Sequence, residues 1–177
     1  MALIVYSDFE CPYCRRFARE TLPLLQERYV KGGDLLIAFR HLPLERIHRF
    51  AFAASAAAVC AGDAGLFWEM HDLLFKSEDG FDQRAIREKA IALPLDVETF
   101  DRCINDAEAG ARVRRDAEGA RDLGIASTPT ILVGLLSVDN GRSVNVKVIE
   151  RFDGHHAFER LSVVIDGILA DTTSNRF

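Results

Sequence analysis

Leu3-Ile4-Val5-Tyr6 followed by Cys11-Pro12-Tyr13-Cys14 is the stretch that decides the fold. An apolar run of four, then two cysteines two residues apart, then a helical pattern from Arg15 reads as strand, tight turn and helix N-terminus. A helix start offers free N–H groups and a partial positive charge, and both favour a thiolate on the first cysteine. Cys11 is therefore the expected attacking or attacked sulfur. Cys14, one turn further in, is the expected resolving one. A zinc half-site is the competing reading of the motif. It lacks support: there is no second C-x-x-C, and His41, His48, His71, His155 and His156 show no ligand spacing. No metal or other cofactor is expected.

A length of 177 residues suits one domain with a real core, and 49% hydrophobic with 28% charged residues is ordinary for a globular chain. The net charge of −5 gives nucleic-acid binding no electrostatic support. The apolar stretches are far short of a membrane span. The first strand begins almost at Met1 with no leader before it, so the expected compartment is extracytoplasmic if a leader or upstream domain was removed, and cytoplasmic otherwise.

Leu3 to Tyr6 and Leu35 to Phe39 read as buried strands joined by a helix from about Pro12 to Tyr29, which Pro23 should kink near Leu22. A helical tract follows over about 45–123. Its first helix should turn Ile47, Phe50, Ala51, Ala54 and Ala58 inward, with a break at Glu78-Asp79-Gly80 further on. Strand patterns return at Thr130 to Val133 and in the alternation of Val144, Val146 and Val148, with a turn at Asp139-Asn140-Gly141 between them. Phe158, Leu161, Ile165, Ile168 and Leu169 form a last helical stripe. The order β-α-β, helices, β-β-α gives an α/β chain, a thioredoxin fold with a central mixed sheet flanked by helices and an inserted helical domain. The expected boundaries within one domain over 1–177 are a core of 1–44 and 124–171, an insertion of 45–123 and a flexible tail of 172–177. Cys60 and Cys103 fall in two insertion helices, either as free buried cysteines or as a structural disulfide tying those helices together.

The run Tyr6-Ser7-Asp8-Phe9-Glu10-Cys11-Pro12-Tyr13-Cys14-Arg15-Arg16-Phe17 resembles the active-site segment of DsbA-like thioredoxin-fold oxidoreductases. Phe39 to Leu44, Gly65 to Phe75 and Gly124 to Thr130 resemble further segments of that family, in its order. The resemblance implies a protein thiol:disulfide oxidoreductase that exchanges a Cys11–Cys14 disulfide with unfolded or extended clients bearing cysteines, recycled by a membrane redox partner if exported. It also implies a cis Thr128–Pro129 bond beside Cys11, offering backbone to a client. The family's strongest oxidants carry histidine where this chain has Tyr13, so a moderate oxidant is expected. Pro12 and Tyr13 tune the pair, Glu10 opposes a very low Cys11 pKa, and Arg15 and Arg16 favour the thiolate. A disulfide reductase or isomerase is the rival enzyme, and a non-catalytic binding module of a larger protein the rival of another class. Val5 stands where related proteins often carry a buried acid, and Asp8 and Glu10 are the candidate substitutes. His41 is a loop residue that could reach the site, while Trp68 and His71 are expected to pack.

Overall fold

The computed structural model describes residues 1–76, 80–139 and 143–174. β1 (Ala2–Ser7) lies inside a four-stranded sheet of order β2-β1-β3-β4, completed by β2 (Leu36–His41), β3 (Thr130–Asp139) and β4 (Ser143–Asp153). It pairs parallel with β2 and antiparallel with β3. Side chains alternate across a strand, so Leu3 and Val5 enter one core and Ile4 and Tyr6 another. The first core is closed by Phe17, Leu22, Leu25 and Tyr29 together with Leu161 and Ile165 of α8 (Phe158–Ser174). α8 continues past the expected end of the core, so 172–174 are helical rather than a tail, and 175–177 lie outside the described residues.

The helix after β1 runs over residues 12–30 and changes type at Leu22, immediately before Pro23. It alternates α turns, α1 (Pro12–Arg16) and α2 (Leu22–Leu25), with wider π turns at Phe17–Thr21 and Gln26–Val30. Leu22 N–H donates five residues back, to the Phe17 carbonyl, immediately before the proline that can donate nothing. Widening by one residue at that place lets the helix continue past the missing N–H.

β2 is an edge strand and Leu36 is exposed, against the expectation of a second buried strand. Ile37, Ala38 and Phe39 are half-buried and His41 is buried, and Phe39 stacks on Phe9 with ring centroids 5.2 Å apart. Residues 45–50 are not helical, and Ile47, placed inward by the pattern, is 73% exposed. The insertion begins with α3 (Ala51–Asp63) and continues through α4 (Phe67–Lys76), α5 (Gln83–Ile91), α6 (Val97–Asn105) and α7 (Ala107–Asp122). Asp82, Asp96 and Asp106 cap the last three, each accepting a backbone N–H of the first turn. A disulfide joins Cys60 of α3 to Cys103 of α6, with Cα atoms 5.8 Å apart. Of the expected break at Glu78-Asp79-Gly80, only Gly80 is described.

β3 and β4 outrun the rest of the sheet. β1 contacts β3 only as far as Gly134, so the outer hairpin has no third strand beside it. Val144 and Val148, expected to be half-buried, are exposed there. Of the turn expected at Asp139-Asn140-Gly141, only Asp139 lies within the described residues. The pairing shifts register between Val133 and Gly134, and a Cβ at Gly134 would run into the Lys147 carbonyl oxygen. Gly134→Val should therefore lower stability by roughly 1–3 kcal/mol. Urea unfolding would show it as a lower midpoint, and an unchanged midpoint would contradict the close approach.

Candidate active site

The register of the sheet assembles the site. Tyr6 of β1 pairs with Thr130 of β3, so the turn leaving β1 and the loop entering β3 emerge at the same end. The first carries Cys11 and Cys14, the second Thr128 and Pro129, joined by a cis bond. Cys11 is the N-cap residue of α1, and Pro12 takes the next position, where its missing N–H removes no helical bond. The Cys11 thiol donates to the Thr128 carbonyl at 3.4 Å. That carbonyl thus faces the sulfur.

Both cysteines are free and largely enclosed. The Cys11 thiol is pushed down from its ordinary value to about 5, first by a hydrogen bond from the Cys14 thiol. The Thr128 hydroxyl and the N–H groups of Cys14 and Tyr13 help, against the opposing effect of burial. The buried Thr128 hydroxyl has no hydrogen-bond partner among the described residues in the dithiol state, so it is free to turn toward a thiolate. Cys14 is displaced the other way: burial comes first, then the hydrogen bond and charge of Cys11. The two thiols are therefore shifted in opposite directions, Cys11 down through its partner's hydrogen bond and Cys14 up through burial.

The tuning residues divide as well. Pro12 is exposed, and Tyr13, 62% exposed, stands as an apolar ring beside the motif. Glu10 Oε2 accepts the Phe50 N–H. Arg16 pairs with Glu20. His41 lies in an aromatic cluster with Phe9, Phe39 and Phe67 rather than in an open loop. Burial first, then Arg112, Arg40 and His71, hold its pKa down near about 3. Trp68 and His71 pack in the same cluster. Among the described residues no group of three or more His, Cys, Asp or Glu is placed to hold a metal ion.

Sequence reasoning passed over His48, whose Nδ1 lies 2.8 Å from Asp8 Oδ2. Forty residues separate the two, so no local pattern could pair them. Asp8 itself carried a signal, since Asp just after a strand commonly accepts the N–H two residues on, here Glu10 at 2.8 Å.

The family model described as Thioredoxin matches residues 1–166. The chain belongs to the thioredoxin family. Within that family its architecture is DsbA-like: alpha-DsbA1 of Wolbachia pipientis superposes with a TM-score of 0.79 at 24% identity, over 98% of this chain and 87% of that one. The chain is 28% identical over 138 residues to the probable disulfide bond formation protein D of Bacillus anthracis, covering 74% of this chain and 64% of that one. It is also 33% identical over 172 residues to the Na(+)/H(+) antiporter NhaA 1 of Salinispora arenicola, covering 97% of this chain. The chain spans about a quarter of the length of that antiporter, 24%.

In this thioredoxin-family site, iodoacetamide alkylation of reduced Cys11 should inflect near about 5. Cys14→Ala should move the inflection upward, because it removes the largest of the stabilising hydrogen bonds. The reduced state should share this dependence. Its stability relative to the oxidised state should be fully expressed above the ordinary thiol range and fall as pH drops through about 5. An inflection near the ordinary thiol value would remove the activated nucleophile.

Proposed function

We propose that this chain is a protein thiol:disulfide oxidoreductase that works through Cys11 and Cys14, most directly as a moderate oxidant of client cysteines. The observation that carries the reading is the divided pair: a helix-capping Cys11 thiol held low, beside a buried Cys14 thiol held high. The names of two relatives, a disulfide bond formation protein and a DsbA, support the class of chemistry.

In the oxidising direction a client thiolate attacks Cys11 Sγ, the Cys11–Cys14 bond breaks, and Cys14 takes up a proton. A second client thiolate then attacks the client sulfur and displaces Cys11 as thiolate. The client leaves with a disulfide, and the pair leaves reduced. The stabilised Cys11 thiolate makes it the better leaving group and favours the reduced pair, which is what an oxidant requires. Unfolded or extended proteins with cysteines are the proposed clients. Thr128 and Pro129 form the proposed wall beside the attacked sulfur, with Tyr13 at its exposed rim. An extracytoplasmic setting and a membrane redox partner go with that direction.

One observation favours a second reading of context. The antiporter relative matches along nearly all of this chain but only 24% of its own length. The same redox unit, or a binding unit of the same fold, would then act as one part of a longer membrane protein.

The reduction potential of the Cys11–Cys14 pair, measured in a glutathione series, should fall between about −120 and −180 mV. A value near about −270 mV would assign a reductase instead. With Cys14→Ser, mixed disulfides between Cys11 and a reduced, unfolded client should accumulate. A pair that exchanges with neither glutathione nor client would leave only the binding module.

A further inference from the structure

The turn between β1 and α1 is closed by a carboxylate with no exposed surface. Asp8 Oδ1 accepts the Glu10 N–H at 2.8 Å, and Oδ2 accepts the Leu44 N–H at 2.7 Å and meets His48 Nδ1 at 2.8 Å. The Asp8 carbonyl takes the Cys11 N–H at 3.2 Å. One polar group of the residue remains, its own amide N–H, and it donates to Cys14 Sγ at 3.5 Å. A buried carboxylate is tolerated only when donors surround it, so these three fix the side chain, and with it the backbone of the turn.

We propose that Asp8 is a positioning residue for Cys14: its carboxylate, gripped by Glu10, Leu44 and His48, aims the Asp8 N–H at the resolving sulfur. The inference rests on the oxidoreductase reading and deepens it. Cys14 must become a thiolate to resolve a mixed disulfide formed when reduced Cys11 attacks a small disulfide. Burial opposes that, while the Asp8 N–H and the Ser7 hydroxyl are the groups outside the cysteine pair that ease it. In the step, the Cys14 thiol loses its proton to solvent and its sulfur attacks Cys11 Sγ. The bond from Cys11 to the departing sulfur breaks, and that sulfur leaves as thiolate and is protonated. The grip of Asp8 on the 44–50 loop also accounts for a segment that the apolar pattern marks as helix.

Oxidised glutathione separates the two steps in one experiment on the full, reduced chain. Cys11 first attacks to give a glutathione adduct at a rate set by concentration, and Cys14 then closes the ring at a rate that is not. Acid quenching and mass spectrometry count the adduct. For Asp8→Ala the closing step should slow on the order of tenfold while the first step is unchanged. Asp8→Asn keeps the volume and one acceptor, and should slow closure less. His48→Ala removes one of three donors and should also fall between. Equal slowing of both steps, or unaltered closure in either folded Asp8 variant, would overturn the assignment. Wild-type Cys11 that never forms the adduct would end the oxidoreductase reading, and this one with it.

Discussion

A helix start set directly against the end of a central strand is the constraint on which the rest depends. The backbone N–H groups at the head of α1 have no helical partners; the thiol of the capping Cys11 makes no cap bond to them, but those of Tyr13 and Cys14 favour its thiolate. That arrangement holds only because both neighbours of β1 are in place. β2 runs parallel beside it, and β3 runs antiparallel on its other side, with Thr130 opposite Tyr6. The antiparallel direction is what returns the 128–129 loop to the same end as the cysteines. A parallel β3 would have put that loop at the far end of the sheet.

The helical insertion is part of the site rather than an ornament on it. Phe9, Cys11 and Cys14 belong to one buried cluster with Ala54, Met70, Leu74 and Phe75 of the insertion. Cys14 therefore sits at the seam between the two parts, and its burial, the main cause of its raised pKa, depends on helices far away in sequence. The Cys60–Cys103 disulfide ties α3 to α6 on the insertion side of that seam. Asp8 and Glu10 fasten the same seam from the turn, by taking the N–H groups of Leu44 and Phe50. Both acids thus hold the architecture around the cysteines.

Much of this was legible before any coordinates. Periodicity marked the strands and most helices, because a strand buried on both faces and a helix with one apolar stripe leave different patterns. The C-x-x-C between a strand and a helix start pointed to Cys11 as the outer sulfur, since helix termini act over a single turn. The pattern failed where apolar residues serve something other than a core. Ile47 lies in a loop, Leu36 on an edge strand, and Val144 and Val148 on a hairpin reaching past its neighbours.

What the sequence by itself determined is local: a cysteine pair two residues apart between a strand and a helix start, and the order of elements. Only the tertiary structure decided the contacts that span forty residues or more. These include His48 on Asp8, Phe50 on Glu10, Thr128 on Cys11 and Cys60 on Cys103. The reason is physical. A hydrogen bond or a disulfide requires two groups within a few ångströms, and no periodicity along a chain encodes the distance between segments that meet only once the core has closed.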